Sequence, residues 1–264
     1  MDKIIISKGQ NASKFLQFSP GDDHIYIVLE ECATLNVTLL FNMPAGTENK
    51  LKLEIEQHAG SALNLVDVTL KTGHAVCDVH VRLVGEGATT ALAGAVIADG
   101  DQHVEKSILV EHIAENCTSD MLYKQVLSGK STGLVHGKVL VQPGAQKSAS
   151  EQTLANICVS EESRALSQPM LEIYADDVKC NHGSTIGKLD ETALFYMCQR
   201  GIPEVEARLL LQHAFVNDVL QRIPEECIVP GSRDGMRLRD RLSHLVEHRF
   251  RGELNACQGC SLCD

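Results

Sequence analysis

Between about residue 25 and residue 185 the chain is a succession of short apolar runs with a period of two, and no stretch there sustains a helical period. Leu51, Leu53 and Ile55 alternate with Lys52, Glu54 and Glu56, and Cys77, Val79, Val81 and Leu83 alternate with Asp78, His80 and Arg82. Side chains two apart share one face of a strand, so these runs predict half-buried strands. Gly60, Gly73, Gly85, Gly87, Gly100, Gly129, Gly133 and the pair Pro143-Gly144 punctuate them. Strands therefore recur about every 10 to 15 residues, a cadence that fits a sandwich, a barrel or a solenoid.

Near residue 189 the pattern changes. Leu194, Tyr196 or Met197, then Val205, Leu209, Leu210 and Ala214 recur at spacings of three and four, which predicts two amphipathic helices. Gly201 followed by Ile202-Pro203 stops one helix and starts the next, and Pro224 ends the second after about Ile223. A third helical stretch spans roughly residues 234 to 250, charged all round apart from Met236, Leu238, Leu242 and Leu245. The boundaries expected are a β domain over 1–186, a helical domain over 187–250 and a tail over 251–264.

Composition tilts the β part towards a parallel solenoid. Only 4% of residues are aromatic and Trp is absent, which suits a narrow core stacked from Val, Leu, Ile and Ala. Small runs such as Ala91-Leu92-Ala93-Gly94-Ala95 would let successive coils approach closely. No strict repeat motif is visible, so a sandwich stays open as the alternative.

With 35 acidic against 24 basic residues the formal charge is −11, which argues against nucleic acid and anionic membrane as partners. The N-terminus lacks a leader pattern and no run approaches 18 apolar residues, so a cytoplasmic protein is expected, with its ten cysteines as thiols or metal ligands. Isolated cysteines are expected to be small buried hydrophobes. No phosphate-binding glycine loop ending in Lys-Ser/Thr is present, so the chain should not hydrolyse nucleotide.

The segment from Pro169 to Phe215 resembles the C-terminal signature of the SufB/SufD family of iron–sulfur cluster assembly scaffolds. The matching elements are Leu171-Glu172-Ile173, Asp176 to Cys180, His182-Gly183, Ile186-Gly187, Leu194-Phe195-Tyr196, Arg200-Gly201-Ile202 and Glu206-Ala207-Arg208. Gly137-Lys138-Val139 and Pro143 to Gln146 are also similar. The resemblance implies a right-handed parallel β-helix followed by a small C-terminal α-helical domain. It also implies a non-catalytic scaffold that dimerises with a SufB/SufD-type partner or with itself and docks a SufC-type ATPase. The run Asp-Val-Lys-Cys-x-His-Gly is the SufD form, where SufB carries Glu-His-Glu-Ala. A cysteine that SufB-type members place six residues before the proline would fall at Ser163, and the long N-terminal helical region of typical members is missing.

Candidate chemistry concentrates in that segment. Cys180 and His182 are two apart on an extended stretch, with Cα atoms about 6.6 Å apart on one face. Thiolate and imidazole both ligate iron, so the pair is a candidate for holding an iron–sulfur cluster, with ligands from elsewhere completing it. Lys179 is expected to lower the Cys180 pKa. Glu191 matches an acidic position that the resemblance makes a further candidate ligand, though Asp190 and Glu191 equally suit a first helical turn. Cys257, Cys260 and Cys263 make three-quarters of a ferredoxin-like motif and are candidate metal ligands. Asp176 and Asp177 invite a carbohydrate-cleaving reading, but adjacent strand residues point to opposite faces, and turn-capping explains them better. His112 and His136 are expected to be packed or exposed strand residues. Two alternatives to the cluster scaffold stay in view: an adaptor that only stabilises the ATPase, and a carbohydrate-active β-helix enzyme.

Overall fold

A computed structural model describes residues 2–232 and 235–253. Fourteen strands come first: β1 Asp2–Ile6, β2 Asn11–Phe18, β3 Gly21–Leu29, β4 Thr34–Asn42, β5 Glu48–Gln57, β6 Ala62–Lys71 and β7 His74–Leu83. The second seven are β8 Thr89–Ala98, β9 His103–His112, β10 Thr118–Leu127, β11 Thr132–Val141, β12 Ala149–Cys158, β13 Arg164–Ile173 and β14 Lys179–Gly187. Helices α1 (Glu191–Gln199), α2 (Glu204–Leu220) and α3 (Leu238–Phe250) follow.

Odd strands build one sheet in the order β1-β3-β5-β7-β9-β11-β13, and even strands build the other in the order β14-β12-β10-β8-β6-β4-β2. Every pairing within the two sheets is parallel. The chain is thus a parallel β-solenoid with two strands per coil, as the sequence predicts. The strand series starts earlier than residue 25, because β1 and β2 lie at the end of the solenoid, where exposure erases the alternation.

The corner leading from odd to even strands explains why no repeat motif is visible. One left-handed residue recurs there in six of the seven coils, namely Gly9, Cys32, Gly60, Gly87, Asn116 and Lys147, the last corner before β14 having none. Their amides form a ladder, Gly9 N to Glu31 O, Cys32 N to Ala59 O, Gly60 N to Glu86 O and onward. Only half of these positions use glycine. The conformation repeats while the residue type does not, and Cys32 is consequently an exposed thiol rather than a buried one.

The core between the sheets is Leu, Val, Ile and Ala with few aromatics, among them the stacked pair Phe18 and Phe41. The run Ala91 to Ala95 does not set coil spacing, which backbone hydrogen bonds hold near 4.8 Å in any parallel sheet. Ala93 and Ala95 instead face outward beneath the helices, and Gly94 faces inward against Tyr123, where an added Cβ would lie 2.2 Å from a ring carbon.

The helices cover the outer face of the even sheet. Val66, Val68, Leu70, Ala93, Ala95, Ile97, Leu122 and Val126 form a second core with Val216, Val219 and Leu220 of α2 and Leu238, Leu242, Leu245 and Val246 of α3. The charge-rich α3 is anchored by buried Arg249, whose guanidinium reaches both carboxylate oxygens of Asp99 at 2.6 and 2.7 Å and also donates to the Leu70 carbonyl. Among the described residues no helix is long and apolar enough to span a membrane.

Candidate functional site

Cys180 and His182 lie on β14, the terminal strand of the even sheet. Cys180 is in register with Ser150, and His182 with Gln152. Ser150 and Gln152 are buried inside the solenoid, so the Cys180 and His182 side chains share its inner face. Among the described residues no further coil covers them. His182 is exposed, and half-buried Cys180 packs against the core. The two potential ligands are therefore presented at the open end.

That end is also the apolar one. Leu166, Met170, Ile173, Tyr174 and Ile186 of the last coil are 41–61% exposed, while at the opposite end Ile5 is the one exposed large hydrophobic among the described residues. Strands β13 and β14 each leave an unpaired backbone edge. Such an edge beside bare apolar side chains is a template for pairing with another chain.

Burial raises the Cys180 thiol pKa above its ordinary value, and an opposing hydrogen bond from the Ser150 backbone offsets only part of this. Lys179 does not lower it, contrary to the sequence expectation, because the strand turns neighbouring side chains to opposite faces. The thiol stays protonated at neutral pH until a metal displaces its proton.

A polar column runs inward from this end, and it was not identified from sequence. Buried His112 meets Ser119 Oγ through Nε2 at 2.8 Å, and Ser119 Oγ donates to Ser150 Oγ at 2.9 Å, one coil below Cys180. Beside it Gln125 donates to Asn156 at 2.7 Å and Asn156 donates to the Thr185 carbonyl at 2.8 Å. The signal was present as Ser119, Gln125, Ser150 and Asn156 at inward positions of otherwise apolar strands.

Burial pushes the His112 pKa down to about 4 from an ordinary 6.5. Unfolded His112 takes up a proton below pH 6.5 while the folded form resists it, so unfolding binds a proton in that window. This contribution to stability is complete above pH 6.5 and lost as pH falls to about 4, an upper bound of about 3 kcal/mol. His112→Gln, which keeps a donor for Ser119, is expected to flatten urea midpoints between those pH values. An unchanged pH slope would contradict the buried neutral imidazole.

Glu191 begins α1, with Asp190 as the N-cap accepting from the Thr192 and Ala193 amides at 2.9 and 3.0 Å. It lines a cleft of about 220 Å³ with Cys158, Lys188 and Arg208. The run of β14 beyond His182 separates it from the pair by about 16 Å of extended chain. Asp176 and Asp177 are exposed in the turn before β14, where the Asp177 main-chain carbonyl accepts from Lys147 N at 2.6 Å. His136 lies half-buried on the outer face of the odd sheet. The candidate ligands Cys257, Cys260 and Cys263 lie outside the described residues.

A parallel solenoid with helices on one face and a thiol–imidazole pair at its open apolar end defines a class of protein that presents a site rather than enclosing one. Residues 4–215 match the family model described as SUF system FeS cluster assembly, SufBD core domain. The chain belongs to this SufBD family. A SufBD family iron–sulfur cluster assembly protein of Mycobacterium leprae is 32% identical over 240 residues, covering 86% of this chain and 58% of that protein. Its Mycobacterium tuberculosis counterpart is 29% identical over 236 residues, covering 86% and 57%. The iron–sulfur cluster assembly protein SufD of Escherichia coli is 30% identical over 149 residues, covering 56% and 35%. The chain thus spans under three-fifths of the length of these relatives.

Proposed function

We propose that this chain is a non-catalytic, cytoplasmic scaffold of iron–sulfur cluster assembly that pairs through the open end of its solenoid, with a second copy or a SufB/SufD-type partner. The cluster is cargo built at that junction. The observation that carries this reading is the placement of Cys180 and His182 on the inner face of an uncapped coil ringed by exposed apolar residues. One thiol and one imidazole cannot saturate a cluster, so completion requires ligands from a facing chain. Glu191 and the cysteines at 257, 260 and 263 are further candidate ligands from this chain. Anaerobic reconstitution with ferrous iron and sulfide tests the reading: charge-transfer absorbance should appear in the associated species, alone or with the partner scaffold. A colourless product under both conditions would favour an adaptor that never touches iron.

The proposed docking surface for a SufC-type ATPase lies on α1 and α2. The helical spacing read from sequence puts Leu194, Phe195, Val205, Leu209 and Leu210 between the two helices and leaves their polar face for docking. Leu194 is indeed buried, but Phe195, Val205 and Leu210 are 65%, 73% and 45% exposed, because α2 is held to the sheet by Val216, Val219 and Leu220 instead. Tyr196 is 59% exposed as well. Apolar side chains left outside a well-covered core suit a protein partner. Phe195→Asp with Val205→Asp is expected to weaken ATPase co-purification at least about 100-fold, the scale of two hot-spot losses, while thermal stability barely changes. Undiminished co-purification would move the docking surface elsewhere.

A further inference from the structure

The outer face of the odd sheet carries a second constellation, remote from the open end. His74 opens β7 and His103 opens β9, and the two are direct register partners across neighbouring parallel strands. Their rings meet edge to face, with centroids 5.0 Å apart and planes at 76°. Glu105, two residues beyond His103, shares its face of the strand. Glu105 Oε1 lies 2.7 Å from His103 Nε2 and 3.9 Å from His74 Nε2. One ligand atom from each residue lies within 4.8 Å of the other two.

We propose that His74, His103 and Glu105 form a binding site for a divalent transition-metal ion, with the remaining coordination positions open to water. First-row ions bind nitrogen and oxygen donors at about 2.0–2.2 Å, which places the donors of one ion about 3–4 Å apart. The observed separations bracket that range, so small side-chain rotations close the set. Two imidazoles with one carboxylate favour Zn²⁺, Co²⁺ or Fe²⁺ over Mg²⁺ and Ca²⁺, which take oxygen ligands.

The backbone under the site is rigid, since β7 and β9 are interior strands paired on both sides. Side chains on such elements hold a ligand geometry better than loop residues do. Exposures of 46%, 38% and 37% for the His74, His103 and Glu105 side chains leave water room to complete the coordination sphere. Glu48 of β5 is in register with His74 on the next strand and supplies a second carboxylate beside the site. The hydrogen bond between His103 and Glu105 holds the carboxylate in place until an ion replaces the shared proton.

Co²⁺ is the probe, titrated into the reduced chain carrying Cys180→Ser, His182→Ala, Cys257→Ser, Cys260→Ser and Cys263→Ser, so that neither the open-end pair nor the C-terminal thiolates compete. One ion per chain is expected, with weak visible d–d bands and no thiolate charge-transfer band. Adding His74→Ala and His103→Ala should weaken binding at least about 100-fold, beyond the 10–100-fold scale of losing an outer orienting partner. Glu105→Gln keeps the shape of the site and should also weaken binding, with far-UV circular dichroism unchanged. Equal affinity and stoichiometry in parent and histidine variants would overturn the proposal, and so would a parent that shows no nitrogen- and oxygen-type band at millimolar Co²⁺. Neither result depends on cluster assembly at the open end.

Discussion

Asp67→Ala is expected to destabilise the fold by about 3–5 kcal/mol, the cost of stranding one charge of a buried pair. Asp67 and Lys106 face each other inside the solenoid at 2.9 Å, with side chains 0% and 1% exposed. The Lys106 ammonium also sits 4.2 Å from the centroid of the Phe41 ring. Burial works against that ammonium, yet attraction from Asp67 leaves its pKa raised, while burial pushes the Cys77 thiol up to about 12. Removing Asp67 leaves the buried ammonium without its carboxylate partner. A domain commonly holds only about 5–15 kcal/mol of stability, so this single change removes a large share. The double variant Asp67→Leu with Lys106→Met deletes both charges at similar volume and should lie close to wild type. Urea midpoints at constant slope measure both. If the double variant is as unstable as the single one, side-chain shape rather than the stranded charge is responsible.

The odd strands were legible in the sequence and the even ones less so, for a physical reason. The outer face of the odd sheet meets water, so β5 and β7 alternate cleanly between apolar and polar positions. The even sheet is covered by α2 and α3, so both of its faces are apolar. Leu39-Leu40-Phe41 in β4 and the run from Ala91 to Ala98 in β8 therefore read as continuous apolar stretches. Within such runs periodicity no longer tells inside from outside. The inward frame was still recoverable in β9, where Val104, Ile108 and Val110 point inward and place Lys106 and His112 beside them. A lysine and a histidine on the inner face of a strand signal a buried polar device.

At the open end, the same-face relation of Cys180 and His182 followed from strand periodicity alone. Which face they share did not, because a terminal strand is exposed on both sides and its own residues carry no burial signal. Only the register with Ser150 and Gln152 assigns them to the interior. The position of Glu191 was likewise legible as a helix start, while its cleft depends on Cys158 and Arg208, residues far apart in the chain. The pairing of His74 with His103 was hidden for the same reason, since it exists only across a coil.

His182→Ala is expected to abolish cluster formation in anaerobic reconstitution while leaving solenoid stability and ATPase binding unchanged. His182 is exposed and forms the outermost point of the register column that runs through Leu92, Met121 and Gln152. Truncating it removes the candidate ligand without opening a cavity, so the unfolding free energy from urea titration should change by no more than about 0.5 kcal/mol. Cys180→Ser should have an equal or smaller effect on cluster yield. Its sulfur is half-buried with its pKa raised, so it would enter a coordination sphere only as an arriving metal displaces the thiol proton to solvent. Both variants must be read together with the oligomeric state. Ile173→Asp with Ile186→Asp places charge at the bare rim, and it should prevent association and remove the absorbance even though Cys180 and His182 are intact. If the rim variant is monomeric yet still builds a cluster, the site is complete within one chain. If His182→Ala reconstitutes normally while serine substitution of Cys257, Cys260 and Cys263 removes the signal, the open-end site fails and the C-terminal cysteines hold the metal.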